Sequence, residues 1–234
     1  MKHPLALLSL LFGISSCESL KESSKYQFSE GYYRTHTGNT VQRLYLLTGT
    51  DTIKAYRPGD LAAAVADTAK IIRIAFPAQK PVNFQGMSFR RSGLDVDVLS
   101  VLFKYRPPGR AFPPQFNATF NGAVYLGYRT DVYTLDYRAT PLHVFRRNIT
   151  HYGYSAGVFT GLGSARIDEY VTRNALNYQY DGLVSLTGIA AIVALNKITA
   201  GLTIGEDYLL DKNHGAWLNN KKPWIGLSLG LNLN

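Results

Sequence analysis

From residue 94 to the end of the chain, apolar and polar residues alternate in long runs. In the last twelve residues, PWIGLSLGLNLN, Ile225, Leu227, Leu229, Leu231 and Leu233 fall on one side of a strand, and Trp224, Gly226, Ser228, Gly230 and Asn232 on the other. Successive side chains of a strand point to opposite faces, so a period of two predicts a strand with one apolar face. Residues 148–163 repeat the pattern: Tyr152, Tyr154, Ala156, Val158 and Leu162 against His151, Gly153, Ser155, Gly157, Gly161 and Gly163, with Phe159 among the latter. So do residues 198–210, with Ile198, Ala200, Leu202 and Ile204 against Thr199, Gly201, Thr203 and Gly205. Asn196-Lys197, just before, suits a tight hairpin turn. In 116–129, Phe116, Ala118, Phe120, Val124, Leu126 and Tyr128 oppose Asn117, Thr119, Asn121, Tyr125 and Arg129; 131–137 either extends this strand or makes the next. In 94–106, Asp95 and Asp97 share a face, and a phase change near Leu99 predicts a bulge. The segment Tyr180–Leu195 alternates poorly and reads equally as a buried helix; its alternating neighbours favour a strand. It is too short and too often interrupted by glycine for a membrane helix.

These segments, of about 10–16 residues, exceed the usual strand of about 5–6. They predict an all-β fold, a small antiparallel up-and-down β-barrel of about eight strands over residues 91–234. A short N-terminal β or mixed element within 17–90 precedes it: a polar tether, Tyr32-Tyr33, a hairpin VQRLYLL / TIKAYR, an Ala-rich helix over 59–70 with Asp60 as N-cap, and a strand IIRIAF. The polar strand faces carry Gly, Ser and Thr and few Lys or Glu. That is unusual for a solvated exterior and reasonable for a crowded lumen, so the apolar faces are expected to meet lipid.

Composition narrows the class. Of 234 residues only 18% are charged, with 16 Tyr, 11 Phe and 21 Gly, a mix that suits β-structure. The net charge of +9 is dispersed, with no Lys/Arg run longer than two. Dispersed cations fit anionic headgroups, and no nucleic-acid partner is expected. The single cysteine, Cys17, excludes intrachain disulfides. Residues 1–16, MKHPLALLSLLFGISS, have a basic start, an apolar core and small residues, as a secretory signal does. Ile14-Ser15-Ser16-Cys17 resembles a bacterial lipobox, which implies a diacylated Cys17 as the first residue after cleavage.

With the lipobox, the stretches FNGAVYLGYRTDVY, THYGYSAGVFTGLG and KPWIGLSLGLNLN resemble small outer-membrane β-barrel lipoproteins of Bacteroidota-type bacteria. The resemblance covers about residues 94–234 and implies fold and location more than activity. Such barrels usually end in an aromatic residue, whereas this chain ends Leu233-Asn234.

Candidate chemistry is sparse. His151 and Ser155 share a strand face and suggest an enzyme acting on lipids, but four strand residues separate them by roughly 13 Å, so a third group from another strand is needed. Asp95, Asp97 or His143 could supply it. Asp95 and Asp97 equally suit structural pairing with Arg129. The histidines show no metal-ligand spacing. Arg90-Arg91, Arg146-Arg147 and Lys221-Lys222, placed at strand ends, suit lipid phosphates or plain solvation. The expectation is a lipid-anchored outer-membrane barrel with a structural or envelope-partner role, no catalytic activity and no cofactor or metal. Its partners are outer-membrane lipid and other envelope proteins. The alternatives are a lipidated soluble barrel holding an apolar ligand inside, and a barrel enzyme acting through His151.

Overall fold

The computed structural model describes residues 28–37, 40–49, 52–60, 72–75, 86–109, 113–195 and 198–232. The signal segment, the tether, Cys17, residues 61–70 of the expected helix and the Asn196-Lys197 turn lie outside these. Eleven strands run in chain order: β1 Gly31–Thr37, β2 Thr40–Thr48, β3 Thr52–Tyr56, β4 Ile72–Ala75, β5 Met87–Arg106, β6 Gln115–Asn117, β7 Asn121–Ala139, β8 Phe145–Ile167, β9 Tyr180–Leu195, β10 Ile198–Leu209 and β11 Pro223–Asn232. Two 3-10 turns, Pro58–Asp60 and Lys212–Gly215, complete the described elements. No helix among them is long and apolar enough to cross a membrane, which says nothing of strands.

The chain divides into two compact units. The first contains β1–β4 and the 137–147 turn region. β1 pairs with β2, β2 with β3 and β3 with β4, all antiparallel, and the expected hairpin is the β2–β3 pair, with Tyr45 opposite Tyr56. Tyr33, Leu44, Leu46, Ile53 and Ala55 are buried. The Tyr33 ring packs against Phe28 at 5.0 Å, tilted by 46°, and its hydroxyl donates to the Ser29 carbonyl at 2.8 Å. In the 140–144 turn, Thr140 N–H and Oγ1 both donate to the Val144 carbonyl, and exposed His143 takes φ 59°.

The second unit holds a closed ring. β5 pairs with β7, β7 with β8, β8 with β9, β9 with β10, β10 with β11, and β11 returns to β5. The β5–β7, β8–β9, β9–β10 and β10–β11 pairs and the β11–β5 closure are all antiparallel. The all-β, up-and-down architecture is as the alternation implies, but six strands close the ring where about eight were expected. The reason is strand length. Residues 131–137 continue β7, which reaches 19 residues, and β8 reaches 23, so fewer strands use the same stretch of chain. Residues 118–120 also interrupt what read as one strand, leaving β6 as a three-residue pairing on β5.

The alternation survives in space. On β10, Thr199, Gly201, Thr203, Gly205, Asp207 and Leu209 are buried while Ala200, Leu202, Ile204, Glu206 and Tyr208 are exposed. β9 proves a cleanly alternating strand, with Val184, Leu186, Ala190, Ile192 and Ala194 inward and Leu183, Ile189, Val193 and Leu195 outward. It reads poorly because both its faces are apolar. The expected bulge in β5 lies slightly later than Leu99: Leu227 faces Phe103 but Ser228 faces Val101, so Leu102 is the extra residue. The shift turns Lys104 and Arg106 inward, in continuation of Asp95, Asp97, Leu99 and Val101.

Candidate functional site

Mid-ring, the interior is filled. Leu99, Val101, Ala123, Tyr125, Phe159, Leu186, Ala190, Ile192 and Trp224 form one buried cluster, with the Phe159 and Trp224 rings 6.0 Å apart. Interior positions not taken by these side chains are often glycine. A Cβ on Gly157 would stand 2.2 Å from the Leu126 carbonyl oxygen, and one on Gly161 2.1 Å from that of Gly122.

Polar clusters lie on either side of this plug. In the first, Asp131 Oδ1 accepts from Arg129 Nε at 2.8 Å and from His151 Nε2 at 2.7 Å. The His151 ring stacks on Tyr133 at 4.5 Å and 8°. Tyr125 and Ser155 share a 2.7 Å hydroxyl–hydroxyl bond, and Asp95 and Asp97 are fully buried on the neighbouring strand. His151 and Ser155 therefore share the interior face, as their spacing implies, but each is engaged by a different partner. Arg129 pairs with Asp131 two residues on, on its own strand. Replacing His151 with Ala removes one charge-assisted bond and a ring stack while Arg129 still holds Asp131. The expected cost is about 2–3 kcal/mol, read in denaturant unfolding.

The second cluster sits toward the long loops. Asp207, 1% exposed, accepts from Lys104 Nζ at 2.8 and 2.9 Å, from Trp224 Nε1 at 2.9 Å and from Arg106 Nη2. Lys104 also donates to Asn121 Oδ1 at 2.9 Å and lies 4.7 Å over the Trp224 ring. Every side chain here comes from a ring strand: β5, β7, β10 and β11. Buried charges are tolerated only when paired and hydrogen-bonded, and here two cations share one carboxylate. The sequence reading missed this cluster. Its signal was present: Asp207 is the acid that ends the Thr199-Gly201-Thr203-Gly205 face, and the β5 bulge hid the inward turn of Lys104 and Arg106.

The connections differ between the two ends of the ring. β9 and β10 pair up to Leu195 and Ile198, and five residues link β7 to β8. At the other end lie 107–109, 113–120, 168–179 and 210–222. The last two of these pack over the strand ends: Ile167, Val184 and Leu209 of the strands and Trp217 of the last loop form a buried cluster, with Val171, Leu176 and Tyr180 against it. Leu218 N–H donates to the Val171 carbonyl at 2.9 Å, and Asp211 caps its 3-10 turn through Asn213 N–H at 2.7 Å. Of the sequence-singled basic pairs, Arg90-Arg91 lies inside β5, Arg146-Arg147 inside β8, and Lys221-Lys222 just ahead of β11. Among the described residues no group of three or more His, Cys, Asp or Glu is placed to hold a metal ion.

The exterior is the converse of the interior. Val158, Ile189, Ile204 and Ile225 form one outward row, each the register partner of the next, and Ala156, Ala191, Leu202 and Leu227 form the row beside it. Leu202 is 52% exposed, Val158 56% and Leu227 57%. Tyr128, Tyr152 and Tyr154 are exposed toward the short-turn end, and Tyr105 and Tyr208 toward the loops. The class defined by these features is an inside-out ring, apolar outward across β8–β11, with exposed tyrosines toward both ends and paired charges buried inside. No family model, curated protein or solved structure matches the chain.

Proposed function

We propose that this chain is a lipid-anchored outer-membrane protein whose ring spans the bilayer, closed to solutes, with a structural or envelope-partner role. The observation that carries it is the apolar belt. Soluble monomers rarely expose contiguous apolar patches larger than a few hundred Å², and a membrane ring instead needs an apolar band edged by aromatic residues. Strands of 10–12 residues, such as β10 and β11, match the 9–11 tilted residues that cross hydrocarbon. Closing the ring satisfies the backbone edges, which lipid requires. Six strands is fewer than the eight of the smallest usual outer-membrane barrels, and the plugged lumen fits so narrow a ring. Short turns at one end and long loops at the other fit the periplasmic and extracellular sides respectively.

The alternatives have less support. A ligand-holding soluble barrel needs an open apolar interior, whereas aromatic and aliphatic side chains fill the middle here. A lipid-directed enzyme needs His151 beside a nucleophile, whereas Asp131 and Tyr133 engage it. The lipid profile of cells carrying His151→Ala is accordingly expected to match that of cells carrying the parent chain; a changed lipid species would revive the enzyme reading.

Leu202→Arg tests the membrane reading. On a water-facing surface such a change stays within about 0.5 kcal/mol. At the bilayer midplane of a barrel it costs about 2–4 kcal/mol. Unfolding from phospholipid vesicles distinguishes the two: a loss in the second range is expected, and a neutral result would count against a lipid-facing belt.

A further inference from the structure

The long-loop end of the ring contains a cavity of ≈ 270 Å³ whose walls include Lys104, Arg106, Asp207, Trp217 and Tyr170. Two wall groups have unused donors. Nε of Arg106 and Nε1 of Trp217 are buried without a hydrogen-bond partner among the described residues, in side chains 5% and 4% exposed. Buried N–H groups are ordinarily satisfied, and each orphan calls for an explanation. Both orphans are donors, so the missing group is an acceptor.

Charge agrees with this. Lys104 and Arg106 share the single carboxylate of Asp207, which leaves one cation uncompensated. Arg166, also on the wall, is paired with Asp168 at 3.7 Å and adds no surplus. A second cavity of ≈ 350 Å³ shares Arg106 as a wall residue and adds Arg173 and Lys222, extending the positive field outward. The Arg106 guanidinium lies 5.7 Å over the Trp217 ring, so the two orphan donors belong to adjoining groups. We infer that this cavity is a binding site for a small oxyanion, a carboxylate or a phosphate group carried on a small solute. Its planar donors receive the oxygens, and the surplus cation compensates the charge. The inference concerns the loop end of the ring and does not depend on whether the belt meets lipid.

The chain has two tryptophans, Trp217 on the cavity wall and Trp224 on Asp207, so its intrinsic fluorescence reports on this cluster. The full chain in detergent micelles is titrated with inorganic phosphate, acetate, glucuronate and glucose at constant ionic strength. A saturable response with one site per chain, for phosphate or for the carboxylates but not for glucose, is expected. Preference between phosphate and acetate tells which group the site takes. Trp217→Phe keeps the ring and removes one orphan donor; calorimetric affinity for the responding anion falls by about tenfold. Arg106→Lys retains a cation for Asp207, loses Nε, and weakens binding to a similar degree. An unchanged circular dichroism spectrum and melting temperature show that each variant is folded. No saturable response to any anion, an equal response to glucose, or parental affinity in folded Trp217→Phe overturns the inference.

Discussion

Asp207→Ala is expected to lower stability by about 3–5 kcal/mol, the range for removing one partner of a buried ion pair. The carboxylate takes hydrogen bonds from Lys104, Arg106 and Trp224. Without it two cations stand in a lumen that buries Lys104 to 2% and Arg106 to 5% exposure, and the Trp224 indole N–H loses its acceptor. Both cations stand on β5, the strand that closes the ring against β11, so their repulsion is unrelieved within that strand. Heat-dependent gel migration and urea unfolding of the variant in micelles measure the effect. Asp207→Asn keeps one acceptor oxygen and is expected to recover a small part of the loss, since the charge is what the two cations require. Replacing all three charges with apolar residues of similar size, Lys104→Met, Arg106→Met and Asp207→Leu together, restores most of the stability, because the penalty lies in the unpaired charge rather than in the lost contacts. If Asp207→Ala alone costs under 1 kcal/mol, the cluster is solvated and the lumen is wetter than the geometry implies.

The second large effect is expected at Gly157. This residue lies on the inward face of β8, and a Cβ there would stand 2.2 Å from the Leu126 carbonyl oxygen and 2.4 Å from the Gly127 Cα. Both obstacles are backbone, so no side chain can swing aside. Overpacking ordinarily costs about 1–3 kcal/mol. Here relief requires separating β7 from β8, so Gly157→Val is expected to exceed that range and to leave little folded protein. Gly93, where nothing stands within 4 Å of the added atom, is the control; Gly93→Ala is expected to fold as the parent does. Equal yields of folded Gly157→Val and Gly93→Ala, compared by protease resistance, would contradict the close approach of the two strands.

What the sequence made legible was alternation. Thr199, Gly201, Thr203 and Gly205 read as one face, and Trp224, Gly226 and Ser228 as another, because a period of two is local. Both sets lie inside the ring. β9 was harder, since Val184, Leu186 and Ile192 on its inner face are as apolar as Ile189 and Val193 outside. Strand number was not legible. Nothing local distinguishes one 19-residue strand from two, and β7 absorbs the 131–137 segment, which read as either its continuation or the next strand. The polar clusters fared similarly. His151 stood out by residue type, yet its partner Asp131 comes from β7, and no spacing rule joins the two. Asp207 lies 103 residues from Lys104 and 101 from Arg106 in the chain, and meets them only when the ring closes. Their role in the lumen follows from topology and from a one-residue bulge at Leu102, features that pattern alone does not carry.

On the proposed reading the ring itself, and not only a lipid on Cys17, holds the protein in the membrane. Cys17→Ser, secreted through a conventional signal peptide into the envelope of a bacterium with an outer membrane, removes the proposed acylation site and leaves the ring residues unchanged. Washing the isolated membranes with alkaline carbonate is the direct measurement. The variant is expected to remain in the pellet and to be released only by detergent; its appearance in the carbonate supernatant as a folded protein would show that the ring does not span the bilayer.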